Sequence, residues 1–131
     1  VYVMVFEVKS PILGFDSLTK VEVKKIDNFF SSLKDAESSL PTFTLVNPYA
    51  LREYSFDIPA AIRVLLNLKE DTKVEVYNII VLQNPIEKSV VNFLAPLVFN
   101  MDNMTMGQVV LDAREYENFM VADEISKYLE D

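Results

Sequence analysis

Few side chains in this chain of 131 residues could carry catalysis. The sequence has no histidine and no cysteine, so the usual general base, the commonest metal ligand and the thiolate nucleophile are all missing. Glu53 and Asp57 are near enough in sequence to form a carboxylate pair, but Asp57-Ile58-Pro59 is typical of a helix start. We therefore predict a protein that is not an enzyme and binds no cofactor. An enzyme that uses a tyrosine or a lysine is the weaker alternative.

The oxygen ligands and glycines lack the spacing that a metal ion or a phosphate group requires. Asp102-Asn103 and Asp112 offer oxygen atoms to calcium, but the regular acidic spacing of a calcium-binding loop is absent. Gly14 and Gly107 are isolated, whereas a phosphate-binding loop needs several glycines close together. We predict no metal site and interpret the acidic and amide residues as parts of turns.

Charge is distributed unevenly along the chain, whose formal net charge is −8. Asp112–Asp131 holds seven acidic and two basic residues, a composition that favours contact with a basic protein. Lys20 and Lys24-Lys25 form only a small basic spot, which we interpret as the solvated face of a strand. Direct binding of nucleic acid is therefore not expected. Membrane insertion is not expected either, because no apolar run approaches the ~20 residues of a membrane-spanning helix.

Short apolar and alternating segments predict a structure made mainly of strands with a few short helices. The predicted strands are Val1–Val8, covered on both sides, Lys20–Lys25, Phe43–Val46 and Lys73–Leu82. The predicted helices are one that Asp27 caps, with Phe29, Phe30 and Leu33 on one side, one that begins at Pro59, with Ile62, Leu65 and Leu66 facing inward, and one over Ala122–Leu129.

The segment Asn92–Asp112 predicts an irregular β-hairpin. Val90–Asn100 is an apolar strand interrupted by Pro96, whose missing N–H requires an edge position or a bulge. A polar turn containing Gly107 leads to a returning strand, Gln108–Asp112. With Lys73–Leu82 this hairpin forms a three-stranded antiparallel meander. The predicted fold is all-β and mostly antiparallel, a sandwich or flattened β-barrel with two or three short peripheral helices.

Four motifs in the same order and spacing resemble the FliW family of flagellar assembly factors. They are the loop Pro11–Phe15, the segment Asn47-Pro48-Tyr49 with Tyr54–Pro59, the strand Val91–Asn100 with its Ala95-Pro96, and Gln108–Leu111. The likeness extends from Ser10 to about Asp123, so we expect residues 1–131 to form a single FliW-like domain. The chain departs from the family at Pro11, where a second glycine is frequent. It also departs at Met101–Met106, where the hairpin tip is usually basic or glycine-rich.

The resemblance implies a cytoplasmic assembly factor that binds newly made flagellin as a chaperone. It also implies binding to CsrA, an RNA-binding repressor that no longer silences flagellin messenger RNA when FliW holds it. Competition between the two partners would link flagellin synthesis to flagellin export. The candidate partner-binding residues, taken from the family motifs and from the acidic segment, are Gly14, Phe15, Tyr49, Tyr54, Phe56, Asn92, Pro96, Asn100, Glu115, Glu117, Asp123 and Glu124.

Two hypotheses refine this function, and one alternative to it is left open. The acidic segment Asp112–Asp131 is expected to steer the encounter with a basic surface of CsrA. An apolar groove near Pro96, with Phe15 or Tyr49 beside it, is expected to hold an amphipathic helix of unassembled flagellin. The alternative is a small β-barrel that holds an apolar ligand in its interior, which the high aliphatic and aromatic content would also allow.

Overall fold

The computed structural model describes residues 3–128 and places nine strands of this range in one sheet. The strands are β1 (Val3–Ser10), β2 (Lys20–Lys25), β3 (Phe30–Asp35), β4 (Thr42–Val46), β5 (Val74–Val81), β6 (Val90–Val91), β7 (Leu97–Asn100), β8 (Thr105–Gln108) and β9 (Asp123–Glu124). The described range also contains the α-helix α1 (Ala60–Leu65) and three short 3-10 helices, Pro48–Ala50, Ile86–Lys88 and Ile125–Tyr128.

Seven of these strands close into a barrel. Their order is β4-β3-β2-β1-β8-β7-β5, and β5 pairs back with β4 from Thr44↔Ile80 to Val46↔Asn78. Every pair is antiparallel except β1–β8, which is parallel and sets Val8 opposite Met106. The prediction of a mostly antiparallel β-barrel is confirmed. The sequence pattern did not indicate the one parallel pair that closes it.

Side-chain alternation along the strands divides the apolar residues between two cores. The inner core fills the barrel with buried side chains, among them Phe6, Val21, Leu33, Leu45, Leu97, Phe99 and Met106. The outer core covers the outside of β4, β5 and β7 with residues from the connecting segments, among them Tyr54, Leu66, Phe93, Leu111 and Ile125. The bulky side chains of the inner core occupy the interior of the barrel. A carrier of an apolar ligand would need space among these side chains.

Strand β1 is covered on one side only, so the prediction of cover on both sides is wrong. Met4 and Phe6 are buried in the inner core, whereas Val3 and Val5 on the other face are each 44% exposed. The connecting segments of the outer core pack over β4, β5 and β7 and leave the outer face of β1 open. The predicted start of this strand, Val1, lies outside the described residues.

The helix predicted after Asp27 is wrong, because Phe30–Asp35 is the strand β3. The Asp27 carboxylate accepts hydrogen bonds from the backbone N–H groups of Phe29 and Phe30, both at 2.8 Å. Those bonds close a tight turn between β2 and β3 instead of capping a helix. Pairing with β2 and β4 then satisfies the backbone of this segment, so the helical spacing of its apolar residues is coincidental.

The predicted hairpin exists, but its strands have other bounds. The segment Val90–Asn100 contains two strands, β6 and β7, because the chain turns at 92–96 before it enters the barrel. The returning strand β8 begins earlier than predicted, which places Gly107 in the strand and the turn at 101–104. The antiparallel order β5–β7–β8 confirms the predicted meander.

The helix predicted after Pro59 is confirmed as α1. Of its three predicted inward residues, Leu66 at the C-cap is fully buried and Ile62 is half-buried, but the prediction for Leu65 is wrong, because this residue is 48% exposed. The helix predicted over Ala122–Leu129 is wrong in its first part. There Asp123-Glu124 forms β9 against β6, and a 3-10 helix follows over Ile125–Tyr128. Leu129 lies outside the described residues.

Candidate functional site

Catalytic and metal-binding groups do not converge in the part of the chain that the structure describes. Within residues 3–128, no three acidic side chains form a group that could hold a metal ion. None of the helices in this range combines the length and the apolar character needed to cross a membrane. Two surface clefts are the candidates for contact with another macromolecule.

The larger cleft has a volume of about 930 Å³ and is lined by residues 49–55, Asn118 and Phe119. We call it the aromatic cleft. Tyr54 is 6% exposed and forms its floor. The Tyr54 ring centroid lies 4.7 Å from that of Phe119, 5.6 Å from that of Phe93 and 6.1 Å from that of Tyr49. Tyr49, at 54% exposure, is the most exposed of these four aromatic residues. A partner would therefore meet Tyr49 first.

Arg52 holds the walls of the aromatic cleft together, and sequence reasoning missed it. Its guanidinium lies 4.9 Å from the ring centroid of Phe119 and 5.3 Å from that of Phe93, within the range of cation–π attraction. Nη1 donates to the Asn118 carbonyl at 3.1 Å and to the Tyr128 hydroxyl at 3.5 Å. One side chain thus joins three separate segments. Its only signal in the sequence is a single arginine among aromatic residues.

The Tyr54 hydroxyl continues inward as a hydrogen-bonded bridge. It donates to the Phe93 carbonyl at 2.6 Å and accepts from Nδ2 of Asn78 at 3.2 Å. The same Nδ2 donates to the Asn92 carbonyl at 2.8 Å. Burial raises the pKa of Tyr54, because the phenolate would lose its hydration, and the hydroxyl keeps its proton. Tyr54, a predicted contact residue, therefore supports the cleft from below.

The second cleft, of about 240 Å³, opens at one end of the barrel and is mainly apolar. We call it the apolar groove, and its lining includes Ile12, Phe15, Phe43, Ile79, Ala95 and Val121. Phe15 packs edge-to-face on Phe43 at 4.9 Å, and Gly14 makes the preceding turn with φ of +88°. Gln108 fixes both rims, since its side chain accepts from Leu13 N–H at 2.7 Å and donates to the Ala95 carbonyl at 3.3 Å.

The predicted contact residues fall in different places around these clefts. The structure brings Phe15 and Asn92 together in the apolar groove, beside the turn that precedes Pro96. It places Tyr49 in the aromatic cleft instead. Pro96 is buried, and Phe56 is half-buried against Tyr54, with ring centroids 5.5 Å apart. Direct contact with a partner is thus open to Phe15, Asn92 and Tyr49.

Asn100 has an internal role in the described structure. It is 1% exposed, and its Nδ2 donates to the Leu66 carbonyl at 2.7 Å. Its Oδ1 accepts from the N–H groups of Asp102 and Asn103 at 2.9 and 3.2 Å. The amide therefore ties the end of α1 to the tip of the β7–β8 hairpin.

The predicted acidic residues divide into exposed and buried members. Glu115, Glu117 and Glu124 are exposed. Asp123 is 3% exposed, and its carboxylate accepts from Lys127 Nζ at 2.9 Å and from the Tyr128 hydroxyl. Only the three glutamates are therefore free to act on an approaching protein.

Comparison with known proteins gives a consistent result. Residues 3–120 match the model of the family described as FliW protein. The chain is 54% identical to Flagellar assembly factor FliW 2 of Wolinella succinogenes over 95% of its own length and 92% of the relative. It is 48% identical to Flagellar assembly factor FliW 1 of the same organism over 98% of its length and 100% of the relative.

A solved structure shares the fold. The crystal structure of the flagellar assembly factor FliW superposes with a TM-score of 0.83 at 20% identity, and the match covers 92% of this chain and 84% of the other. A family model that spans most of the chain, together with two relatives near half identity, supports the resemblance seen in the four motifs. The chain therefore belongs to the FliW family of flagellar assembly factors.

Proposed function

We propose that this chain is a cytoplasmic protein that binds flagellin as a chaperone and binds CsrA, thereby relieving repression of flagellin messenger RNA. It acts by holding other proteins, without catalysis and without direct contact with nucleic acid. The observation that carries the proposal is the pair of clefts, one apolar and one aromatic beside exposed glutamates, because their chemistry suits two different partners.

The apolar groove suits the flagellin segment. Its rim exposes apolar side chains, with Leu13 at 75%, Val81 at 53% and Val121 at 64% exposure. An amphipathic helix of unassembled flagellin presents apolar residues that need such a groove until the filament covers them. Phe15 and Asn92 lie where such a helix would rest.

The aromatic cleft suits the basic repressor. Asn118 and Phe119 in its wall belong to the segment that carries Glu115 and Glu117. Exposed carboxylates attract a basic surface, and an exposed aromatic ring such as Tyr49 supplies area once contact is made. Binding in this cleft would relieve repression because CsrA held by this chain no longer silences the messenger RNA; the chain itself would not touch the RNA.

The experiment is co-purification of the full chain with flagellin and with CsrA, each alone and then together. We expect the wild-type chain to retain both partners, Phe15→Ala to lose most flagellin and Tyr49→Ala to lose most CsrA. Val64→Ala, at a 79% exposed position on α1 outside both clefts, is the control. If the wild-type chain retained neither partner, the proposed function would be wrong. Full retention by Phe15→Ala or by Tyr49→Ala would reject the corresponding cleft.

A further inference from the structure

Three of the five methionines meet at the end of the barrel where the β7–β8 hairpin has its tip. They line a surface pocket of about 230 Å³, whose lining is Met4, Met101, Met104, Lys25, Lys73 and Glu75. Met101 and Met104 are half-buried, and their side chains pack against the inner core. These two thioethers therefore lie between the pocket and the apolar interior of the barrel.

The tip that carries the two methionines joins separate parts of the barrel. The Met104 carbonyl accepts from the Glu7 N–H of β1 at 2.9 Å, and the Met101 N–H donates to the Lys73 carbonyl, just before β5, at 2.8 Å. Met104 also holds a positive φ of 59°, which costs free energy for a residue with a Cβ. The shape of the tip therefore depends on these hydrogen bonds and on the packing of the two methionine side chains.

The chemistry open to an accessible thioether is oxidation to the sulfoxide. The sulfur lone pair attacks one oxygen of hydrogen peroxide and the O–O bond breaks. The sulfur loses two electrons, and the second oxygen leaves as hydroxide, which takes the proton of the transferred oxygen and becomes water. The ammonium groups of Lys25 and Lys73 line the same pocket, and cations stabilise the negative charge on the departing oxygen. The product is polar, so it no longer suits an apolar core.

We propose that Met101 and Met104 form a reversible oxidation site, at which hydrogen peroxide opens the hairpin tip and loosens the end of the barrel. The sulfoxide oxygens require water, so the two side chains leave the inner core, and the hydrogen bonds to Glu7 and Lys73 weaken with them. A methionine sulfoxide reductase supplied with a dithiol reverses the change, since the sulfoxide oxygen leaves as water and the dithiol becomes a disulfide. This inference is independent of the partners proposed above.

The first measurement is the rate of oxidation at each methionine. The full chain is treated with hydrogen peroxide, and sulfoxide is followed by peptide mass spectrometry at low conversion. We expect Met101 and Met104 to react at least about fivefold faster than Met106, because oxidation follows exposure and Met106 is fully buried. Met120, at 50% exposure, should react as well. If Met101 and Met104 were as slow as Met106, the site would be rejected.

The second measurement is thermal unfolding after the same treatment. We expect the Tm of the wild-type chain to fall by about 5 °C or more. The double variant Met101→Leu/Met104→Leu should keep most of its Tm, because leucine fills a similar volume and has no sulfur to oxidise. Met120→Leu is the matched control, since it removes an exposed thioether outside the tip and should lose as much as the wild type. Methionine sulfoxide reductases A and B with dithiothreitol should then restore the wild-type Tm.

Each outcome decides for or against the site. An unchanged Tm in wild-type protein that carries sulfoxide at both tip methionines would overturn the proposal. The same holds if Met120→Leu abolished the fall, or if the double variant fell as far as the wild type. Poor folding of the double variant would leave the comparison of wild type with Met120→Leu to decide, because both start from the native tip. A fall in Tm that persists after the sulfoxides are reduced would reject reversibility.

Discussion

Amide and hydroxyl side chains, not acid–base pairs, hold most of the buried polar positions in this chain. Asn78, Asn100 and Gln108 are each less than 9% exposed, and each bonds backbone groups that are distant in sequence. Asn100 and Gln108 each donate and accept at once, so one side chain satisfies carbonyl and N–H groups of separate segments, whereas Asn78 only donates. Two of these amides lie in the family motifs: Gln108 fixes the rims of the apolar groove, and Asn100 fixes the tip of the β7–β8 hairpin.

Asn100→Ala tests this role. The substitution leaves the N–H groups of Asp102 and Asn103 without their acceptor inside the hairpin tip, and we expect a loss of about 2 kcal/mol in the free energy of unfolding. Urea unfolding followed by circular dichroism measures it. The control is Asn103→Asp, because at this exposed residue it removes the Nδ2 donor that shares the Leu66 carbonyl and keeps the Oδ1 that accepts from Thr105, so its cost should stay below about 1 kcal/mol. Similar losses in the two variants would contradict the role given to Asn100.

Some residues that line the two clefts could be predicted from the sequence, and others could not. A turn at Gly14 with an aromatic residue after it could be predicted, because an isolated glycine before a phenylalanine is a local signal, and the structure gives Gly14 a positive φ and Phe15 38% exposure. Tyr49 and Tyr54 could not be told apart. Both lie in the same irregular segment, and their different exposure depends on Phe93 and Phe119, which come from distant parts of the chain.

Among the strands and helices, sequence patterns predicted correctly those elements that depend on neighbouring residues in the chain. Alternation predicted β2 and β5, and the Asp-Ile-Pro sequence predicted α1. The error at Asp27 arose because an aspartate that caps a helix and one that closes a hairpin make the same bonds to following N–H groups. The parallel β1–β8 pair had no local signal, since contacts such as Ser10 with Gln108 span 98 positions.

That parallel pair closes the barrel and depends on Gly107. A Cβ added there would lie 2.8 Å from the Cβ of Ser10 and 3.3 Å from its backbone nitrogen. We expect Gly107→Ala to destabilise the protein by about 2 kcal/mol, because β1 and β8 must separate to admit the methyl group. Thermal unfolding of the purified variant measures the loss.

A second substitution, at Ser10, should restore part of the stability that Gly107→Ala removes. Ser10→Gly removes the Cβ that the new methyl group meets, so the Gly107→Ala/Ser10→Gly pair should recover part of the loss. Gly14→Ala serves as a contrast, because its added Cβ meets nothing within 4 Å and only the positive φ of the residue is strained. Ser10→Gly should bring it no recovery. If the pair were no more stable than Gly107→Ala alone, crowding at this contact would not be the cause.

The whole molecule combines a barrel with a layer of connecting segments on one side. The apolar groove lies where that layer meets the barrel, and the aromatic cleft lies within the layer. The apolar groove takes Phe43 and Ile79 from the barrel and Val121 from the layer. The aromatic cleft takes its floor from Tyr54 and a wall from Phe119, both within the layer. The aromatic cleft thus rests on the outer core, whereas the apolar groove takes Ile12, Phe43 and Ile79 from the inner core.

The electrostatic field of the exposed glutamates extends beyond direct contact, so its effect on the rate of association with CsrA can be tested. Replacing Glu115, Glu117 and Glu124 by glutamine should slow association with CsrA by about tenfold at low ionic strength and flatten its salt dependence. Dissociation should change little, because exposed charges act mainly before contact is made. Stopped-flow kinetics over a range of salt concentrations measures both rates.

The matched control changes the same net charge elsewhere. Glu37, Glu70 and Asp71 are exposed and lie in the β3–β4 and α1–β5 connections, and neutralising them also takes the net charge from −8 to −5. If the three glutamates steer the encounter, this second variant should associate at close to the wild-type rate at physiological salt, where the field of each charge is screened beyond a Debye length of about 8 Å. Equal slowing in both variants would mean that only the total charge matters, and no slowing in either would exclude electrostatic steering.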